Sequence, residues 1–165
     1  MRGQLRFGLA IGAATLIADQ ATKFLVLQVL HLAPGEVIPV APFFDLALTF
    51  NRGISYGLWQ QESELGRNLL IAVSLVAAGL FAFWLRRTGS RLVTVALGFL
   101  IGGAIGNAID RAIHGAVVDF VSLHAFGWRW YVFNVADSAI VAGVVGLLYD
   151  GLFGGATKTP PSPRS

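Results

Sequence analysis

The sequence predicts an all-α membrane protein with four transmembrane helices, a small extracytoplasmic β-cradle and a short interfacial helix. Composition is the first observation behind this prediction, because 55% of the 165 residues are hydrophobic and only 13% are charged. Soluble domains are roughly 45–50% apolar and 25% charged. The second observation is four apolar runs of the length, about 20 residues, that crosses a bilayer. The chain has no cysteine, which excludes disulfides, thiolate metal ligands and a cysteine nucleophile.

The first apolar run has the features of both a signal peptide and a membrane span. It follows Arg2 and Arg6, as the apolar part of a signal peptide does. It continues through Asp19 and Lys23 without a convincing small-residue cleavage site, so we expect an uncleaved first span. The four spans are expected at about 7–30, 68–85, 92–110 and 132–152.

Seven of the twelve Lys and Arg residues fall on one side of these spans, before the first, between the second and third, and in the tail. They are Arg2, Arg6, Arg86, Arg87, Arg91, Lys158 and Arg164. The positive-inside rule makes that side the cytoplasm, so both termini are expected there. The net charge of +3 serves this orientation. The positive net charge does not indicate a nucleic-acid partner, because the basic residues are not clustered in a stripe with interleaved aromatic residues, as they are in nucleic-acid-binding proteins.

Two long connections, about 31–67 and 111–131, are expected on the extracytoplasmic face. The first begins HLAPGEVIPVAPFFDLALTF, which predicts short strands with turns at Pro34-Gly35 and at Pro42. It continues as ISYGLWQQESELG, whose pattern predicts a short interfacial helix, with a solvated loop as the alternative. Residues 1–153 are expected to form one membrane domain, and 154–165 a disordered cytoplasmic tail.

Small residues at four-residue spacing predict close helix packing. Gly98, Gly102 and Gly106 recur along one face of the third span, a doubled small-xxx-small pattern that lets another backbone approach. Ala139 and Gly143 offer a similar groove on the fourth span. We interpret these positions as packing sites without a role in chemistry.

Polar groups occur at helical spacing at the outer end of three spans. Asp19 and Lys23 in DQATK share a face and are able to pair. In GNAIDR, Asn107 shares a face with Asp110 and Arg111. Ionised groups are costly in a membrane unless they are paired. We therefore interpret Asp19 beside Lys23, and Asp110 beside Arg111, as structural pairs.

Asp119 and Asp137 differ because neither has a cation at i±3 or i±4. Asp119 lies in VVDF just beyond the third span. Asp137 lies in FNVADS, three residues after Asn134. If the fourth helix begins near Tyr131, Asp137 lies about 9 Å along it. Antiparallel neighbouring helices would bring both carboxylates together at the outer membrane face.

A carboxylate pair of this kind is compatible with two kinds of chemistry. Two close carboxylates share a proton and can activate water as the aspartic-protease dyad does; membrane aspartates also relay ions. No HExxH or GxSxG motif is present. Of the three histidines, His31, His114 and His124, the last two could form a metal site with Asp119, but the spacing matches no known ligand motif.

The motifs DQATK, NRGISYG, GNAIDRAIHGAVVDF and FNVADSAI, in this order on four spans, resemble those of the bacterial lipoprotein signal peptidases (signal peptidase II). The resemblance covers about residues 10–150. It implies an intramembrane aspartic endopeptidase that removes signal peptides from diacylglyceryl-modified prolipoproteins by cleaving before the lipid-modified cysteine. We expect it to act without metal, cofactor or covalent intermediate.

Carried over residue by residue, the resemblance makes Asp119 and Asp137 the catalytic dyad. It assigns supporting or substrate-binding roles to Asp19, Lys23, Asn51, Gly53, Asn107, Asp110, Arg111, Asn134 and Ala136. The two asparagines of the third and fourth spans could hydrogen-bond the carboxylates or the substrate backbone, and Arg111 could hold a polar group or a lipid phosphate. Ser55-Tyr56 departs from the Ala-Phe often found in the family.

The resemblance also implies a location and partners. We expect a multi-pass protein of the bacterial cytoplasmic (inner) membrane with its active site near the extracytoplasmic face. The partners are prolipoproteins and membrane lipids, and one chain holds the whole dyad, so we expect a monomer. The first outer connection is the expected cradle and lid. The rival functions are a small transporter or channel, and a membrane scaffold whose aspartates are all structural.

Overall fold

The computed structural model describes residues 2–53 and 63–153, and four long helices dominate it. They are α1 (Arg2–Phe24, continued by a wider π-helical turn, Leu25–Val29), α2 (Glu64–Leu85), α3 (Arg91–His114) and α4 (Val135–Phe153). All four are long and apolar enough to cross a membrane, which confirms the predicted spans. α2 and α4 bury few of their apolar side chains within the protein, as expected for helices that face lipid.

α3 lies at the centre of the bundle and packs against the other three helices. Its glycines allow this packing. A Cβ added at Gly98 would lie 2.7 Å from the carbonyl oxygen of Gly8 on α1, and one added at Gly143 on α4 would lie 2.8 Å from the carbonyl oxygen of Ala96 on α3. These distances leave no room for a methyl group, so the small-residue pattern does bring backbones together.

α2 and α3 begin at serine caps, and the end of α3 sets the path of the chain beyond it. Ser63 accepts a hydrogen bond from Gly66 N, and Ser90 accepts one from Val93 N, which satisfies amides that lack partners in the first turn. α3 is capped after His114 by Gly115, whose φ of 74° is the left-handed geometry that glycine adopts without strain. The chain then enters a strand.

The sheet has four antiparallel strands in the order β1-β2-β3-β4. They are β1 (Val37–Ala41), β2 (Phe44–Asn51), β3 (Val117–Ala125) and β4 (Trp128–Arg129). β1 and β2 confirm the strands predicted in the first outer connection. β3 and β4 lie in the second connection, for which no strand was predicted. β3 is buried along Val117–Phe120, so it lacks the alternation of apolar and polar residues that marks a half-exposed strand.

Three predictions fall wholly or largely outside the described residues. Most of the predicted interfacial helix, together with Ser55-Tyr56, lies within 54–62, and the tail lies within 154–165. The last residues of the predicted interfacial helix, Glu64 and Leu65, belong to α2.

Candidate active site

Asp119 lies near the start of β3, with its side chain completely buried. Its Oδ1 accepts a hydrogen bond of 2.7 Å from Asn134 Nδ2. Its Oδ2 has no hydrogen-bond partner among the described residues. Buried polar atoms are nearly always satisfied, and this oxygen and Arg111 Nε are the two exceptions among the side chains of the described residues.

Asp137 lies in the first turn of α4, where Asn134 caps the helix. Asp137 N donates to Asn134 Oδ1 over 2.8 Å, and Asn107 Nδ2 donates to Asp137 Oδ1 over 2.9 Å. The expectation that α4 begins near Tyr131, with Asp137 about 9 Å along it, was wrong, because α4 begins at Val135. A carboxylate at this position benefits from the helix dipole, and its burial costs less than it would in the middle of a span.

The two carboxylates line one cavity of about 540 Å³ together with Asn51 and Asn107. Burial, reinforced by the negative charge of Asp137, raises the pKa of Asp119 to about 8, while the nearby amides of Asn51 and Asn134 oppose this shift. Among residues 2–53 and 63–153, neither aspartate forms an ion pair. The convergence predicted for these two carboxylates is therefore present in the structure.

Two asparagines connect the carboxylates. Asn134 donates to Asp119, and its Nδ2 also lies 3.4 Å from Asn107 Oδ1; Asn107 in turn donates to Asp137. The polar chain therefore runs from one aspartate through both amides to the other. This chain fixes the orientation of the side-chain amides and keeps an N–H on each carboxylate.

Lys23 bridges Asp19 and Asp110 beneath the cavity. Its Nζ lies 2.7 Å from Asp19 Oδ2 and 2.6 Å from Asp110 Oδ2, and all three side chains are almost fully buried. The predicted pair of Asp19 with Lys23 is confirmed. The ion-pair partner of Asp110 is Lys23 rather than the expected Arg111, because α1 packs beside α3 and carries Lys23 to it.

The bridging carboxylates also hold the backbone just before each aspartate of the pair. Asp19 Oδ1 accepts from Ala136 N over 2.9 Å, one residue before Asp137. Asp110 Oδ2 accepts from Val118 N over 3.0 Å, one residue before Asp119. The bridge therefore ties α4 and β3 to the same point, which fixes the relative position of the two carboxylates.

Arg111 supports the turn at the end of β2. Its Nη2 donates to Gly53 O over 2.8 Å, and its Nη1 lies 3.3 Å from Asn107 O. Gly53 N in turn donates to Asn51 Oδ1, so the turn holds Asn51 at the cavity. In this structure the polar group held by Arg111 is a backbone carbonyl of the protein.

Some residues of the site were not identified from the sequence. Gln20 Nε2 donates to both Asp19 and Asp110. Trp130 and Tyr131 line the cavity, and burial together with the charges of Asp119 and Asp137 raises the pKa of Tyr131. The available signals were the position of Gln20 inside DQATK and the aromatic run WRWYVF before the fourth span.

The alternative metal site does not form. His124 lies beside Asp45, 3.1 Å from its Oδ2, and His114 packs near the ring of Phe50. In the described part of the chain, no three His, Asp or Glu side chains converge in a way that could hold a metal ion.

Comparisons with known proteins show what the chain is similar to. The family model described as "Signal peptidase (SPase) II" matches residues 11–153. The chain is 55% identical over 146 residues to a protein named lipoprotein signal peptidase from Methylobacterium sp. (strain 4-46), covering 88% of each chain. It is 55% identical over 160 residues to the protein of that name from Methylorubrum extorquens (strain PA1), covering 97% of this chain and 90% of the relative.

A structural comparison supports the fold. A bacterial membrane enzyme solved by the in meso method at 2.3 Å resolution superposes with a TM-score of 0.80. The match covers 96% of this chain and 94% of that chain at 24% sequence identity.

Proposed function

This chain belongs to the signal peptidase II family. From that membership we propose that Asp119 and Asp137 catalyse hydrolysis of the peptide bond between the signal peptide and the mature part of a diacylglyceryl-modified prolipoprotein. Membership makes the chain a multi-pass membrane peptidase that processes prolipoproteins. The proposal adds the two catalytic residues, the lipid-modified form of the substrate and the cleavage position, before the modified cysteine. Its main support is the convergence of the two carboxylates in one cavity.

The reaction needs one proton on the pair. With the pKa of Asp119 at about 8, the pair holds a proton at neutral pH. The ionised carboxylate takes a proton from water, whose oxygen attacks the scissile carbonyl carbon. The protonated carboxyl donates to the carbonyl oxygen. When the carbon–nitrogen bond breaks, the nitrogen takes the proton that the first carboxylate had accepted from water and leaves as an amine. One hydroxyl of the tetrahedral intermediate returns its proton to the other carboxylate, which re-forms the carbonyl and restores the singly protonated pair. No cofactor is needed for this general acid–base sequence.

The cavity suits a substrate that reaches the site through the membrane. Beyond the aspartates it continues along α4 past Ile140, Val141 and Val145, two to three helical turns of apolar surface. A hydrophobic signal peptide or acyl chain gains by burial against such a wall. The polar end of the cavity, with Asn51 and Asn107, is where the peptide bond would lie.

The remaining predicted residues act as supports in this proposal. Asn107 and Asn134 orient the carboxylates, and the bridge of Asp19, Lys23 and Asp110 fixes their separation. Arg111 and Gly53 hold Asn51 beside Asp119. Ala136 is completely buried and contributes its backbone amide to Asp19. Pre-positioned groups of this kind lower the reorganisation needed in the transition state.

We also propose the location and assembly. The positive-inside pattern favours the bacterial inner membrane with both termini in the cytoplasm and the dyad near the extracytoplasmic face. A monomer suffices because both carboxylates belong to one chain. Membrane lipids are the expected surroundings of the exposed faces of α2 and α4.

To test the proposal, the purified protein is to be incubated with a diacylglyceryl-modified prolipoprotein, and with the unmodified precursor as control. Only the modified form should be cleaved. Asp119→Asn and Asp137→Asn should each lower kcat by at least about 10³-fold, because one carboxylate cannot act as both acid and base. Cleavage is measured by gel shift and mass spectrometry of the released peptide.

Asp150→Asn is the matched control, because Asp150 lies at the opposite end of α4, where it accepts a hydrogen bond from Ser90. It should keep near-normal kcat. Full activity in either dyad variant would refute the assignment. Ion flux through liposomes without peptide cleavage would favour the transporter instead.

A further inference from the structure

A second cavity, of about 530 Å³, shares a wall with the dyad cavity. Its lining comprises Thr49, Arg129, Trp130, Tyr131 and Val132, and the last three of these also line the dyad cavity. None of these five residues belongs to a membrane-spanning helix. This outer cavity is therefore lined by β2, β4 and the segment that leads into α4, whereas the apolar wall of the dyad cavity belongs to α4 itself.

The outer cavity begins next to Asp119. Thr49 on β2 is paired directly with Asp119 on β3, and directly opposed residues in antiparallel strands lie about 4.5–5.5 Å apart. A polypeptide leaving the dyad on this side would enter the outer cavity within one or two residues, at about 3.3 Å each.

Arg129 places a fixed cation at this cavity. Its Nη1 donates to Asp45 Oδ2 over 3.0 Å and to Ser122 Oγ over 2.9 Å. Both acceptor residues are buried, whereas the Arg129 side chain is 53% exposed. His124 Nε2 lies 3.1 Å from the same oxygen of Asp45, so this oxygen contacts two neighbours. The positive end of the cluster is the one that meets solvent.

The segment after Arg129 is held at both ends. Trp130 N donates to Leu123 O over 2.7 Å, and Phe133 and Val121 exchange backbone hydrogen bonds of 2.8 and 3.0 Å. The intervening wall that separates the two cavities is thus anchored to β3. A rigid wall that carries a cation at a fixed position can discriminate between the side chains of a bound polypeptide.

We propose that the outer cavity binds the polypeptide that follows the lipid-bearing cysteine, and that Arg129 makes it favour acidic over basic side chains there. This proposal rests on the proposed function. The membrane-embedded part of the substrate matches the apolar wall of α4, so the water-soluble part leaves on the opposite side of the dyad. The outer cavity has no α4 residue among its described lining residues, and Arg129 is the only Lys or Arg among them.

The test uses three diacylglyceryl-modified prolipoproteins that differ only at the second and third residues of the mature chain, which are both Glu, both Gln or both Lys. The wild-type protein should cleave the Glu substrate with kcat/KM about threefold to tenfold above that of the Lys substrate, with Gln between them. The preference should weaken at high salt, because contacts between exposed charges are screened.

Arg129→Gln should bring the three kcat/KM values together, and Arg129→Glu should reverse their order. Arg67→Gln is the control, since Arg67 is a partly exposed cation near the start of α2 outside both cavities, and it should keep the wild-type order. Equal values in the wild type, or a preference that persists in Arg129→Gln, would overturn the proposal. So would an equal fall with all three substrates, which would make Arg129 an anchor of the wall. Each result leaves the dyad assignment intact, because that assignment concerns whether any substrate is cleaved.

Discussion

At the scale of single residues, the site is defined by an aspartate whose pKa is raised well above its ordinary value. Asp119 is fully buried, and one of its oxygens has no hydrogen-bond partner among the described residues. Burial comes first and the charge of Asp137 second among the causes that raise its pKa to about 8. These conditions keep a proton on the pair. A buried carboxylate whose oxygens all accepted hydrogen bonds would have a lower pKa and would release it.

Activity should therefore have an alkaline limit set by Asp119. Below about pH 8 the pair keeps its proton; above it the general acid is lost, so kcat should fall about tenfold per pH unit. A pH–rate profile on the lipid-modified substrate measures this. A profile that stays flat to pH 10 would contradict it.

The same shift predicts how stability depends on pH. The unfolded carboxyl ionises near 3.8, whereas the folded one does so near 8. The stabilising contribution of the neutral folded form is therefore complete below about pH 4 and is lost progressively as pH rises to 8. Asp119→Asn removes this loss, so its Tm should exceed that of the wild type increasingly between pH 4 and 8. A Tm difference that is constant with pH would argue against the raised pKa.

At the scale of elements, the position of α4 depends on glycines of α3. A Cβ added at Gly103 would lie 2.6 Å from the carbonyl oxygen of Ala136, the residue before Asp137. The backbone cannot yield as a flexible side chain would. α4 must therefore shift, and Asp137 shifts with it.

Gly103→Ala should lower kcat at least tenfold and cost about 1–3 kcal/mol in the free energy of unfolding, as overpacking does. Gly79→Ala is the matched control, because a Cβ added at Gly79 on α2 meets nothing within 4 Å. That variant should keep full activity. Normal kcat in Gly103→Ala would show that the α3–α4 contact does not position Asp137.

At the scale of the whole molecule, one buried ion bridge joins the parts that carry the proposed dyad. Lys23 on α1 reaches Asp19 on its own helix and Asp110 on α3, and these acids hold the backbones of α4 and β3. Without Lys23, two buried carboxylates would face each other unpaired. An unpaired charge in the interior strongly lowers the free energy of unfolding.

Lys23→Met should lower the free energy of unfolding in detergent by about 3–5 kcal/mol. Adding Asp110→Asn to it should recover part of this loss, because the double variant leaves one fewer unpaired charge. An unchanged Tm in Lys23→Met would mean that the bridge does not hold the bundle together.

Sequence by itself determined the four spans and singled out the two aspartates of the proposed dyad. Span prediction succeeds because a bilayer demands about 20 apolar residues with internally bonded backbone, a requirement that is local in the chain. Asp119 and Asp137 stood out because they lacked a nearby cation, and that too is read locally. The pairing of Asp19 with Lys23 followed from i,i+4 spacing within one helix.

Only the tertiary structure decided which distant groups meet. The pairing of Lys23 with Asp110 depends on how α1 packs beside α3, and β3 gave no alternating pattern because it is buried. The register that sets Thr49 opposite Asp119, and with it the outer cavity of Arg129, depends on strands separated by two membrane spans. Contacts of this kind are fixed by the sum of packing and hydrogen bonds over the whole chain, and no short stretch of sequence contains that sum.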